Sequence, residues 1–488
     1  MSTDAPPAPP ALSAPLGESL DRSRFSELHF RYWLLAALGI MLDGFDFFII
    51  GVASPLLVKE FNLSPGVQGL VTAAAVLGAI FGAGLLGPLA DKIGRRRIFR
   101  VDLILFIVFS IACVFAWSVW SLFVFRFVLG IAIGLDYPIA ASYLAEVLPA
   151  KGRGRWLVGA FSLQALGILM GAIVGVIVLS VAPHIDSWRW MLGFGAIPAL
   201  VIVFLRRGVP ESPRWLAQNG HEAEAAEVTE ALVGHPVMVT EADREKGMET
   251  PEGLKALVQP ALFKRNMLRR TVFTAVPWFL MDIATYGVGV FTPTLIAAMV
   301  VHGANTSFII DDITSTKATA VLDVFLPIGF AIAIVLVDRL GRIPLQIAGF
   351  AGMTLALCIL ATTELLPGGG EAHLAMVVVG FAMFNTLMNA GPNATTYALP
   401  AEVFPSEMRA AGHGFAAACA KFGAALGLFL FPVLLDSVGA SALLFGVAGC
   451  CLVALTITAL LRIEPKGRSL EELAGAELAE VSPHPAPP

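Results

Sequence analysis

Apolar runs long enough to cross a bilayer alternate with short, polar and mostly basic segments along nearly the whole chain. Measured against the roughly 18 to 20 residues that a spanning helix needs, they predict twelve transmembrane helices. These begin near Trp33, Gln68, Ile98, Leu122, Trp156, Trp188, Thr271, Ala318, Leu345, Ala375, Ala410 and Ala440. The longest polar stretch, Arg206 to Arg270, falls between the sixth and seventh and carries a helical pattern at His221 to Val233. The expected fold class is therefore an all-α integral membrane protein of two six-helix bundles, residues 27–207 and 269–464. A loop over 208–268 joins them, and tails at 1–26 and 465–488 are expected to be disordered.

Composition supports the membrane assignment. The chain is 57% hydrophobic, only 14% charged, and has a mean hydropathy of +0.79, too little polar surface to coat a water-exposed globule. All five cysteines lie in apolar runs and read as small buried hydrophobes. The Ala- and Pro-rich start lacks the basic and apolar regions of a cleavable signal. The net charge of −5 says nothing for or against nucleic acid, and no nucleic-acid partner is expected. The distribution of the 32 Lys and Arg matters more. Lys59, Arg189 and Lys317 fall at loops of one face, Arg126 and Lys421 inside spans, and the rest on the other face. The positive-inside rule makes that face cytoplasmic, with both termini on it, in a plasma (inner) membrane.

The basic loops repeat. GPLADKIGRRR, with Asp91 and Arg95, follows span two, and VDRLGR, with Asp338 and Arg342, follows span eight. AEVLPAKGRGR, with Glu146 and Arg155, follows span four and is echoed by AEVFPSEMRA, with Glu402 and Arg409, after span ten. Glu211 in PESPRWL after span six is echoed by Glu464 in EPKGRSL after span twelve. Offsets of about 250 residues in all three describe a six-plus-six duplication.

An ionisable group at the centre of a spanning helix costs about 2.5 to 3.5 kcal/mol on insertion scales, so each one inside a span is a functional candidate. Asp43 and Asp46 share a face of span one at a spacing of three, where two carboxylates disfavour joint ionisation and suit proton holding. Asp136 lies about 15 Å from the basic face and Asp282 about 18 Å, near the midplane. Asp102 and Asp323 read as shallower, near the starts of spans three and eight. Arg126 is a partner candidate for the span-one carboxylates, and Lys421 needs an anion from protein or cargo. Trp278, Asp282 and Tyr286 form one stripe at i, i+4, i+8, whose indole, carboxyl and phenol suit an oxyanion when the acid is protonated. Tyr137, Gln164, Asn393 and Lys421 add donors from other helices.

The paired D-x-x-G-R loops, PESPRW and the two Glu-plus-Arg loops make the chain resemble a major facilitator superfamily transporter over everything except the tails. That resemblance implies two bundles rocking about a midplane site. It also implies that Asp91, Arg95, Glu146, Arg155, Glu211, Asp338, Arg342, Glu402 and Arg409 act as cytoplasmic latches joining the bundles when the inner side is closed. Four segments resemble phosphate:proton symporters: RFVLGIAIGLDYP, the span-seven stripe, GPNATTYALPAEVFP and HGFAAACAKFGAALG. By that likeness Tyr137, Gln164, Trp278, Asp282, Tyr286 and Asn393 contact phosphate, with Lys421 nearby. Asp43, Asp46, Asp136 and Asp282 handle protons, supported by Asp102 and Arg126. LDGFDFF in span one also resembles aromatic-acid and metabolite:proton symporters, so the partners expected are protons, the lipid bilayer and a small anion, either phosphate or an organic acid. A sugar cargo, or a transporter-like nutrient receptor, stays open as an alternative. A monomer without cofactor or metal is expected. The chain contains no H-E-x-x-H, G-x-S-x-G or G-x-x-x-x-G-K-[ST], so it is not expected to be an enzyme.

Overall fold

The computed structural model describes residues 14–83, 93–244, 260–301, 307–404 and 408–465. The twelve spans are Glu27–Phe61, Pro65–Phe81, Arg95–Val114, Val119–Val147, Arg153–Val181, and a sixth broken into Trp188–Gly193 and Ala196–Leu205. The second half follows with Arg265–Val290, the pair Phe308–Asp323 and Phe325–Leu340, Arg342–Thr363, the pair Leu374–Ala390 and Pro392–Val403, and the two spans inside Arg409–Leu461. Gly439, at φ 80°, turns the chain between spans eleven and twelve, a conformation that glycine adopts without a Cβ clash.

Local chemistry sets the ends. Ser26 caps span one in a reciprocal box with His29, and Asn62 closes it in the left-handed region at φ 49°. Ile104, Val108 and Ile111, one stripe of span three, are exposed as a lipid-facing surface needs, while Asp102 on the other side is buried. Between spans two and four, Gly130 lies so close to the Ala75 carbonyl that a Cβ would collide with it. Small residues let these backbones touch, the packing that replaces hydrophobic driving force inside a bilayer.

The bundles meet most closely on the face away from the basic loops. Gly51 of span one abuts the Val290 carbonyl of span seven, and Gly69 of span two abuts Phe429 of span eleven. The Thr72 hydroxyl donates to the Leu428 carbonyl at 3.4 Å. Span five packs along both parts of span eight.

Two sequence expectations change. Span eight begins at Phe308, ten residues before the predicted start, because Asp311, Asp312, Thr314, Ser315 and Thr316 dilute its first turns below a lipid-facing pattern. Asp323 is thus mid-span rather than near the start, and Lys317 lies within the helix. The tail is also more ordered than expected between residues 14 and 26. Ala14–Pro15 pairs in parallel with Val237–Met238, and helix Leu16–Arg22 buries Leu16 and Leu20 against the inter-bundle segment. Asp21 bridges Arg153 at 2.6 Å and Arg214 at 2.7 Å.

Asp243 anchors this segment by accepting from Gly17 N–H at 2.9 Å and from the Thr240 N–H and hydroxyl at 2.9 and 2.7 Å. Burial alone would raise its carboxyl, but these hydrogen bonds outweigh it and hold Asp243 below the ordinary carboxylate value. The stabilisation is present above the ordinary aspartate range and is lost as pH falls through the depressed value. Hydrogen exchange of residues 14–23, corrected for intrinsic pH dependence, should accelerate in that acid range. Asp243→Asn should already be fast at neutral pH; equal protection in both proteins would refute the anchoring role.

Candidate functional site

In the first bundle the buried acids divide into two sets. Asp46 pairs with Arg126 of span four at 3.2 Å, and both side chains are essentially inaccessible. Asp43, one turn earlier, instead shares a cavity with Asp102 and Asp136, lined also by Gly39, Leu42, Leu103, Phe106, Ala132 and Ile133. The span-one carboxyls therefore face different partners. Asp102 is buried at this cluster rather than shallow at the start of span three.

Arg206 is the cluster's counter-ion. Its guanidinium reaches Asp136 at 3.2 Å, donates to the Leu35 and Ala36 carbonyls at 2.9 and 3.2 Å, and lies 4.4 Å from the Phe99 ring centroid. Gly39 makes room for this pair, since a Cβ there would collide with Asp136 and Arg206. One oxygen each of Asp43, Asp102 and Asp136 has no hydrogen-bond partner. Three buried carboxyls thus face one guanidinium. The sequence reading missed Arg206 because it opens the basic linker and resembles any loop arginine.

The second bundle supplies a different centre. Lys421 of span eleven donates to the Tyr286 phenol oxygen at 3.0 Å and lies 3.8 Å from the Asp282 carboxylate. Its ammonium also sits 5.0 Å from the Tyr286 ring centroid and 5.8 Å from that of Phe47 in span one. Gln164 of span five meets the same phenol, so both bundles border this centre. Because Tyr286 accepts from Lys421, its own O–H remains a donor. Pro277, inside span seven one turn before Asp282, removes a backbone donor from the helix.

Trp278 stands apart from Lys421. It packs edge-on against Tyr397 and His413 at 6.1 and 5.8 Å. Asn393 donates to Asn389 at 2.8 Å across the Gly391–Pro392 break of span ten, one turn from Tyr397. The backbone of Tyr137 follows Asp136 on span four, but its side chain lies outside the described residues.

Residues 32–476 match the family model described as sugar (and other) transporter. The chain belongs to that family. It is thereby a member of the major facilitator superfamily. A probable inorganic phosphate transporter 1-12 of Oryza sativa subsp. japonica is 30% identical, covering 94% of this chain and 93% of the relative. The putative metabolite transport protein YaaU of Escherichia coli strain K12 is 31% identical, covering 93% and 96%. Among solved structures, the inward-open xylose transporter XylE from E. coli superposes with a TM-score of 0.73 at 23% identity, covering 92% of this chain and 99% of that one.

In this transporter the loop charges connect helices within each bundle. Arg95 pairs with Glu146 at 2.9 Å, and Glu211 accepts from the Arg95 and Arg96 N–H groups at the start of span three. In the second bundle, Arg342 pairs with Glu402 at 2.8 Å and Asp338 at 3.3 Å, while Glu464 accepts from the Arg342 and Ile343 N–H groups. In this structure, whose closest bundle contacts lie on the opposite face, these pairs stay within each bundle. Each clamps its own half, which lets the half move as a body. Arg155 is exposed. Asp91 and the Arg409 side chain lie outside the described residues.

The rings of Phe161 in span five and Tyr397 in span ten meet at 4.0 Å between centroids. They join the bundles between the Lys421 centre and the basic face. If this pair is the barrier there, Phe161→Ala should speed reaction of a cysteine at Asn393 with an impermeant thiol reagent added from that face, about tenfold in a cysteine-free background. An unchanged rate would place the barrier elsewhere.

Proposed function

We propose that this chain is a proton-coupled symporter whose cargo is inorganic phosphate, with the basic face in the cytoplasm as the positive-inside rule requires. The observation that carries this reading is the Asp282, Lys421 and Tyr286 constellation: a half-buried ammonium held between a buried carboxylate and a phenol, bordered by both bundles. A neutral sugar gives that ammonium nothing to pair with, whereas an oxyanion does. The likeness to plant phosphate transporters supports the same cargo.

In the empty carrier, Asp282 and Lys421 neutralise each other. A phosphate monoanion reaching Lys421 would face the Asp282 negative charge at van der Waals range. Transfer of a proton from hydronium to Asp282 leaves water, removes that repulsion and supplies an O–H donor, so proton and anion favour each other's binding. That mutual effect is the coupling free energy. With both bound, as with neither, the lining is neutral, so the bundles can rock past the occluded state at lower desolvation cost than with either bound alone. The Asp43, Asp102, Asp136 and Arg206 cluster would serve as the first bundle's proton store.

The direct test is uptake of labelled phosphate into proteoliposomes under an imposed pH gradient, with benzoate-like acids and hexoses as competitors. Saturable, gradient-driven phosphate uptake is expected. Uptake of an organic acid or hexose in its place would overturn the cargo, and no saturable flux of any would point to a receptor.

A further inference from the structure

Span eight carries acids that the coupling scheme above does not use. Asp312, Thr316, Thr319 and Asp323 follow spacings of four, three and four, which keeps them in one stripe. All four are buried, and Asp312 is only 4% exposed. One Asp312 carboxyl oxygen and the Thr316 hydroxyl have no hydrogen-bond partner. Ser315 and Thr319 instead satisfy their hydroxyls on backbone carbonyls of their own helix, at 3.1 and 2.9 Å.

The stripe meets the seam between bundles at Thr316. The Thr316 methyl lies 3.3 Å from where a Cβ on Gly175 of span five would stand, beside Val52 of span one. This is the seam closed in this structure, on the face away from the basic loops, and the one that alternating access must open. The charged and titratable surroundings are few. Residues 156–181 of span five, 284–301 after Asp282, and 374–401 of span ten contain no charged residue. Span ten contributes Asn385, which donates to the Leu322 carbonyl at 3.0 Å. On the same helix, Asp311 is half-buried and Lys317 exposed. From span one, Lys59 lies over the Phe308 ring, one turn from Asp312 toward the surface, and Glu60 pairs with Arg189 at 2.9 Å.

An ionised carboxylate with an unpartnered oxygen in such a seam is strongly disfavoured, while the same group is readily ionised once water enters. We propose that Asp312 is a proton-binding gate site, separate from the coupling site: the seam closes only after Asp312 takes a proton from the water on that face, and releases it there when the seam reopens. Hydronium donates the proton, water is left, and the neutral acid is buried beside Thr316. Acid on that face therefore favours closure. The inference rests on the alternating-access reading but not on phosphate or on Asp282.

The test is a distance measurement across the seam, by pulsed electron resonance, between labels on cysteines at Gly66 and Ser437 in a cysteine-free background in lipid nanodiscs. The closed-to-open ratio should rise by up to about tenfold per unit fall in pH, as uptake of one proton requires. In Asp312→Asn it should change less than about twofold over the same range and favour the closed state. Asp282→Asn should keep the wild-type pH dependence. Thr316→Val, which removes an unpartnered hydroxyl from the closed seam, should favour closure while retaining the pH dependence, and guards against a folding artefact in the Asp312 variant. A wild-type pH response that survives in Asp312→Asn, or its absence from the wild type, would overturn the proposal. If no proton-driven uptake is found yet seam closure titrates and is abolished in Asp312→Asn, the symport reading fails and the gate site stands.

Discussion

Asp282→Asn should abolish phosphate accumulation driven by a pH gradient, lowering it at least about 100-fold, while phosphate exchange between equal pools continues. Asparagine is a permanent mimic of the protonated acid. It removes the negative charge that competes with the anion for Lys421 and still offers a donor, but it can neither lose a proton nor neutralise Lys421 in the empty carrier. The size follows from the interaction removed. Two unit charges about 4 Å apart at an effective dielectric near 20 are worth about 4 kcal/mol, enough to bind proton and anion to each other's movement by orders of magnitude. Lys421→Met should do the reverse, losing exchange and accumulation together because the cation for the oxyanion is gone. Parallel counterflow and gradient-driven assays in proteoliposomes separate the two. Full pH-dependent accumulation by Asp282→Asn would remove the central carboxylate from the mechanism.

Arg206→Ala should be the most destabilising single change in the first bundle, by about 3 to 5 kcal/mol. It leaves Asp136 buried beside Asp43 and Asp102 without their counter-ion and uncovers the Leu35 and Ala36 carbonyls. Thermal unfolding in detergent should show a clear fall in midpoint. The double variant Arg206→Leu with Asp136→Leu removes both charges, so it should recover most of the lost stability but not proton-driven uptake. A single variant as stable as the parent would show that Arg206 does not neutralise the cluster.

The two predictions rest on residues of unequal legibility. Asp282 could be read from the chain because a lone acid in an apolar run has no local excuse, and its helical spacing from Trp278 and Tyr286 needs no tertiary information. That spacing placed three side chains on one stripe but did not assign their partners. The structure brings Tyr286 and Asp282 to Lys421, and Trp278 to Tyr397 and His413. Arg206 was illegible for the opposite reason. It stands where an apolar run gives way to the polar linker, and only the packing of span six against span one turns a boundary arginine inward. Asp312 was hidden similarly, since the polar first turns of span eight read as loop until span five is seen to cover them.

By itself the sequence determined that this is a membrane protein of twelve spans in two related halves, because the bilayer forces every backbone group into helix and every helix into a countable apolar length. It also placed Asp43, Asp46, Asp136 and Asp282 within the bilayer, since position along a helix is depth, but not Asp312, whose turn read as loop. Only the tertiary structure decided how those charges pair: Asp46 with Arg126, Asp136 with Arg206, Asp282 with Lys421. Pairing depends on which faces of distant helices meet. That is a matter of side-chain packing between residues 70 or more apart along the chain, on which hydropathy is silent.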